Sequence, residues 1–237
     1  MSIEFAFLVL KEHPYGREML RILLEQDFRP GLIVEEASAV ADEEREKFLT
    51  RIAGQPVPPT LAALTSGLDF LHREVEDHNG PLCREILAEF QPDLVVLGGT
   101  AILRGHLLDI PARGTVNAHP GLLPWLRGSS SVAWALYKDL AVGSTTHFVD
   151  RGIDTGPIIL RRKLPVHRGE TYEQIVRRVL TLSGELMAET LALLANGPAP
   201  SAPQDTTVGE TLRVIPPEYL QVAKANLAQG LYSHFAE

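Results

Sequence analysis

Apolar positions along this chain alternate between short continuous runs and stretches with helical spacing, the pattern of a mostly parallel sheet covered by helices. Residues 5–10 read as a buried strand and residues 16–26 as the helix after it. A second strand follows at residues 32–35, then a charged helix from about residue 42 to 52. Residues 56–79 fit neither period and stay unassigned. Residues 82–90 carry apolar side chains at helical spacing, and Pro92 separates them from residues 94–97, a run suited to a central strand. The next strand spans residues 114–119. Residues 130–138 then read as a helix whose serine-rich start offers capping hydroxyls.

Two strands are expected at residues 142–149 and 157–164, around a loop. Residues 171–196 form the longest predicted helix: Thr171 and Gln174 fit a capping box, Ile175, Val179, Leu182, Leu186 and Leu193 supply the apolar face, and Gly197 stops it. Residues 198–203 have the composition of a linker, residues 212–214 are a candidate strand and residues 217–227 a short helix. The expected fold is α/β, a Rossmann-like, mostly parallel sheet flanked by helices, with a body over residues 1–197 and a short C-terminal extension over 198–237.

Composition narrows the function classes. The 237 residues, 45% hydrophobic and 22% charged, suffice for one α/β domain with a small appendage. Net charge is −8, and no basic cluster exceeds Arg161-Arg162-Lys163, so nucleic acid is not expected as a partner. Cys83 is the only cysteine, which excludes an intrachain disulfide and a cysteine zinc site; among Leu82, Ile86 and Leu87 it reads as a packing residue. His72, His78, His106, His167 and His234 have no carboxylate or histidine at metal-ligand spacing, so no metal is expected. Glu4 stands where a signal peptide carries basic residues, and the apolar run after it is too short to span a bilayer. A cytoplasmic protein without membrane contact is expected.

The candidate chemistry concentrates in residues 115–128, Thr-Val-Asn-Ala-His-Pro-Gly-Leu-Leu-Pro-Trp-Leu-Arg-Gly. A strand here sends Asn117 and His119 to the same side, two residues apart, just before a Pro-Gly turn. An amide that donates a hydrogen bond then sits beside an imidazole that titrates near neutrality, a pairing able to polarise a carbonyl and move a proton. Downstream, His147 lies on a strand and Asp150 and Asp154 on a Gly-containing loop, from which a carboxylate can orient the imidazole. His147 reads as a structural residue that ties down Asp150 or a backbone carbonyl.

Asn-x-His-Pro-Gly-Leu-Leu-Pro-x-x-Arg-Gly followed by His-Phe-Val-x-x-x-x-Asp-Thr-Gly-Pro-Ile-Ile resembles the formyltransferases that use 10-formyltetrahydrofolate, among them glycinamide ribonucleotide, methionyl-tRNA and amino-sugar formyltransferases. The strong likeness covers about residues 92–165. The resemblance implies the formyltransferase fold, with Asn117, His119 and Asp154 in the catalytic positions. It also implies a pterin pocket formed by Gly98, Gly99, Ile102 and Leu103 with Asp150 and Ile153, and an acceptor channel lined by Arg127 and Gly128. His13, beside Lys11 and Arg17, is a further candidate for contact with the acceptor. The loop after the first strand carries a single glycine, Gly16, and places Glu12 in the path of an anion, unlike the Gly-Asn-Gly-Ser-type loop of the ribonucleotide enzymes.

The implied activity is therefore transfer of a formyl group from 10-formyltetrahydrofolate to a small-molecule amine, with an amino sugar nucleotide as one candidate. Hydrolysis of the same folate and a non-catalytic folate-binding relative are the alternatives. A homo-oligomer is left open.

Overall fold

In the computed structural model, which describes residues 3–236, strand β1 (Phe5–Leu10) is buried on both faces and divides the interior in two. Its alternating side chains enter opposite cores: Phe5, Phe7 and Val9 on one side, Ala6 and Leu8 on the other. The first core is covered by α1 (Pro14–Glu25) and the long α7 (Tyr172–Ala195), the second by α4 (Pro81–Phe90) and the short α5 (Gly105–Leu108). Cys83 is fully buried in the second core, as its apolar neighbours suggested.

The main sheet is completed by β2 (Leu32–Glu36), β3 (Leu71–Val75), β4 (Leu94–Leu97), β5 (Thr115–His119), β7 (Gly143–Phe148) and β8 (Ile158–Lys163), in the order β3-β2-β1-β4-β5-β7-β8. Pairing is parallel from β3 to β5 and antiparallel for β7 and β8. A second, two-stranded parallel sheet joins β6 (Leu126–Gly128) to β9 (Glu210–Leu212). The remaining helices are α2 (Ala39–Arg51), α3 (Leu61–Thr65), α6 (Ser131–Tyr137) and α8 (Pro217–Ala228).

The unassigned stretch 56–79 contains α3 and β3. Strand β3 escapes sequence detection because it is the sheet edge: Leu71 to Glu74 are exposed and only Val75 is buried, so no alternation appears, and the charges discourage further strand addition. The start of α6 also differs from expectation. Ser130 caps nothing there; it sits at φ 58° and its hydroxyl accepts from the Ile215 N–H, while Ser131 turns towards His119. The last strand lies at Glu210–Leu212, two residues before the expected span, where it can pair with β6. The capping box of α7 forms as its sequence predicts, with Thr171 and Gln174 hydrogen-bonding reciprocally.

Two histidines that look solitary in sequence find carboxylates at the end of β2. His72 Nε2 lies 3.1 Å from Glu35, and the fully buried His78 has its Nδ1 3.1 Å from Glu36. Residues 198–236 are laced onto the body. Ala202 pairs with Ile158, β9 pairs with β6, and Tyr219 of α8 stacks on Trp134 and Tyr137 of α6.

Helices α1 and α7 are joined by the buried Glu18, which accepts from Arg21, Arg177 and Thr181 at 2.8–3.0 Å. Burial works to raise its pKa, but the two guanidiniums and the hydroxyl outweigh burial and hold it at about 2. A depressed carboxylate contributes stability that is present above its unfolded pKa and lost as pH falls through the folded one. The stability gap between wild type and Glu18→Gln, measured by urea denaturation, is therefore expected to be full at pH 7 and to narrow between about pH 4.5 and about 2. A gap that stays constant over that range would rule out an ionised Glu18 as the link.

Candidate active site

Strand β5 ends at the carboxyl edge of the parallel strands, the edge at which ligands of such sheets bind. Val116 and Ala118 face the first core, so Asn117 and His119 face the other way. Tyr15 of α1 fixes this strand end by donating its hydroxyl proton to the Ala118 carbonyl. His119 is 3% exposed. Its Nδ1 lies 3.2 Å from Asp154 Oδ2, and its Nε2 lies 2.8 Å from the Leu126 carbonyl and 3.0 Å from Ser131 Oγ. Gly121 makes this packing feasible, because a Cβ there would fall 2.7 Å from His119 Nε2.

Asp154 belongs to the loop between β7 and β8 and adopts φ 53°, a left-handed conformation that aspartate tolerates better than most residues. Its Oδ2 also accepts from the Gly128 N–H at 2.8 Å. His147 stands opposite Asn117 across the β5–β7 ladder. Its Nδ1 lies 2.8 Å from the Phe148 carbonyl and so carries the proton, which leaves Nε2 to accept from Asn117 Nδ2 at 3.3 Å. The same Nε2 is 3.5 Å from Asp154 Oδ1. Asn117, His147, Asp154 and His119 thus form one continuous chain of contacts. His147 does hold a backbone carbonyl, as expected, but its carboxylate neighbour is Asp154 and not Asp150.

Burial dominates the electrostatics. It pushes the His119 pKa below the usual imidazole value, and the Asp154 carboxylate only partly restores it. For Asp154, burial acts upward, but the His119 ring and the Gly128 N–H outweigh it, so the carboxyl lies well below the usual carboxylate range and is ionised. Acceptors flank both His119 nitrogens, and a neutral ring can donate to only one. Taking up a proton gives it a second donated hydrogen bond, which suits a group that receives a proton during a reaction.

The other expected site residues divide. Gly98 and Gly99 follow β4, beside Asn117 through the Leu97–Asn117 pairing. The loop after them touches the Asp154 loop, since Gly105 packs on Arg151. Ile102 and Ile153 are 71% and 42% exposed on those two loops. Leu103 instead packs into the second core. Asp150 folds inward on its own loop, accepting from the Gly152 N–H and the Thr155 hydroxyl.

Arg127 faces the C-terminal extension. Its guanidinium donates to the carbonyls of Pro124, Thr206 and Val208 and to Thr211 Oγ1, so four of its five N–H donors grip the C-terminal extension and the turn before β6. His13 is engaged at the start of α1. Its ring caps α1 by accepting from the Tyr15 N–H and packs on Phe48, and burial drives its pKa down to about 3. Ser131, Gly121, the Leu126 carbonyl and Gln204 were not picked out from the sequence. Only Gly121 left a signal, as the glycine of His-Pro-Gly. Among the described residues no group of three or more His, Cys, Asp or Glu side chains is arranged to hold a metal, and no helix is long and apolar enough to cross a membrane.

The formyl transferase family model matches residues 6–191, which takes in the main sheet from the second residue of β1 onward and the contact chain around His119. The chain belongs to the formyl transferase family. A methionyl-tRNA formyltransferase of Chlorobium phaeovibrioides is 33% identical over 179 residues, 75% of this chain and 56% of that protein. The chain therefore spans about half the length of the curated relatives it matches. Among solved structures, glycinamide ribonucleotide transformylase 1 from Symbiobacterium toebii aligns over 86% of this chain and 95% of its own, at 24% identity and a TM-score of 0.61. A formyltransferase from Anoxybacillus kamchatkensis, solved with UDP-4,6-dideoxy-4-formamido-L-AltNAc and tetrahydrofolate, aligns over 88% and 85% at 19% identity and a TM-score of 0.53. At these identities the structural likenesses establish the fold of the family member.

Proposed function

We propose that this chain transfers a formyl group from 10-formyltetrahydrofolate to the amine of a small molecule, with Asn117, His119 and Asp154 as its catalytic residues. The observation that carries this is the direct contact of His119 with Asp154, continued through His147 to Asn117 at the end of β5. The folate supplies an activated formyl carbon when bound; Gly98 and Gly99 with the exposed Ile102 and Ile153 would wall its ring.

The neutral amine attacks the formyl carbon, and charge develops on the formyl oxygen. Asn117 gives one Nδ2 proton to His147 and has its second for that oxygen; losing such a donor typically costs about 3 kcal/mol of barrier. His119, oriented by Asp154, takes the proton leaving the amine and passes it, through a water, to the folate nitrogen as the carbon–nitrogen bond breaks. The products are a formamide and tetrahydrofolate, so atoms balance without a metal or redox partner.

A small acceptor is favoured over tRNA by the net charge of −8. A phosphoribosyl amine is disfavoured because residues 11–17 carry Glu12, and Gly16 is packed against the Gly98 carbonyl. The test is tetrahydrofolate release from 10-formyltetrahydrofolate alone, and then with a 4-amino-4,6-dideoxy sugar nucleotide, glycinamide ribonucleotide or initiator methionyl-tRNA. Release is expected to accelerate with the sugar nucleotide. Release equally fast without any amine would replace transfer by hydrolysis.

A further inference from the structure

Catalysis as proposed needs Asp154 held in a left-handed turn, yet the ties within its own loop fall on its neighbours and not on its own main chain. Asp150 ties down Gly152 and Thr155, upstream and beside it. The carbonyls of Asp154 and Gly156 are taken instead by one side chain from the C-terminal extension: Gln204 Nε2 donates to them at 3.0 and 2.6 Å. Two carbonyl partners leave no choice in how that amide is turned. Its backbone is anchored just before, where Ala202 and Ile158 exchange hydrogen bonds of 2.8 and 2.9 Å.

The same extension holds the other partner of the carboxylate. Gly128, whose N–H donates to Asp154 Oδ2, is the last residue of β6, and β6 is paired along its length with β9. Arg127 draws the two together by donating to the Val208 and Pro124 carbonyls at 2.9 Å. A Cβ on Gly128 or Gly209 would fall 2.2 Å from a carbonyl oxygen of the opposite segment, so the strap lies as close as backbones allow.

We propose that Gln204 is a positioning residue that keeps Asp154 in register with His119, and that residues 202–212 are a working part of the active site. This rests on the role proposed above for Asp154. The consequence is specific: releasing the turn lets the carboxylate recede from His119 while both cores stay intact.

The experiment compares wild type with Gln204→Leu, which keeps the bulk of the side chain and removes the donor, and with Gln204→Asn, one methylene shorter. Two readouts are taken: kcat with 10-formyltetrahydrofolate and whichever of the three amines named above is turned over, and the titration of the His119 ring followed by NMR. Asp154 and His147 are the titratable groups against that ring, and the Asp154 charge is what opposes burial.

Gln204→Leu is expected to lower kcat on the order of tenfold and to move the His119 midpoint down, with Gln204→Asn between it and wild type. Wild-type kcat, or a lower kcat with an unmoved His119 midpoint, would overturn the proposal, the second because it marks a merely structural role. Should Gln204→Leu not fold, Gln204→Asn decides by the same two readouts. Full activity in Asp154→Asn would instead remove the reading of the site itself, which keeps the two failures apart.

Discussion

Asp154→Asn is expected to lower kcat by at least about a hundredfold while the protein stays folded. The substitution is nearly isosteric, and the loop keeps its ties from Asp150 and Gln204, so the turn has no reason to collapse. What disappears is the charge. His119 is buried, and its environment already disfavours the imidazolium; the ionised Asp154 at 3.2 Å is the main influence in the other direction. Without it, the ring no longer gains a charge-assisted hydrogen bond on taking up a proton, and the barrier to proton removal from the amine rises. The sign for the pH profile follows. Losing the carboxylate lowers the His119 pKa further, so any residual activity should have its ascending limb at lower pH than wild type. The checks are kcat against pH and a circular-dichroism melt. A kcat within about threefold of wild type would take Asp154 out of the chemistry.

The fold was legible wherever burial is symmetrical. Strands such as β1 and β4 are apolar on both faces and announce themselves as short continuous runs, and α7 carries its own start and stop signals. Strand β3 was illegible because an edge strand with four exposed residues has no hydrophobic period. Strands β6 and β9, three residues each, are defined by pairing with each other across more than eighty positions, which no local pattern encodes.

The site divides on the same principle. Asn117, His119 and Asp154 are marked by residue type and spacing, and the structure brings them together through His147. Arg127 and His13 are harder to read, because a charged or titratable side chain in a motif says nothing of what it touches. One is consumed by main-chain carbonyls of the extension and the other by a helix start. Gln204 lies just past the stretch 198–203 whose composition says linker, and only its position shows that it bridges two carbonyls next to the Asp154 carboxylate.

Gly16→Val is expected to destabilise the protein by about 3 kcal/mol or more, read as a lower urea midpoint at unchanged slope. In sequence, Gly16 is the lone glycine of a loop that could approach a phosphate. In the fold it is the point where α1 rests on the sheet: a Cβ there would lie 2.1 Å from the Gly98 carbonyl oxygen and 2.4 Å from Val9 Cγ2. Neither neighbour can yield. Val9 is fully buried in β1, and Gly98 is pinned from behind, because the Phe7 ring occupies the space its own Cβ would take, 2.2 Å away. Helix α1 cannot lift off easily either, since Ile22 packs into the gap left by Gly184 of α7 and Glu18 is clasped by Arg177. The strain therefore reaches Gly98, whose strand neighbour carries Asn117, and the variant's kcat should fall along with its stability. Gly16→Ala already introduces the clash and should show both effects in milder form, whereas wild-type stability in Gly16→Ala would mean that α1 has more room above the sheet than these distances allow.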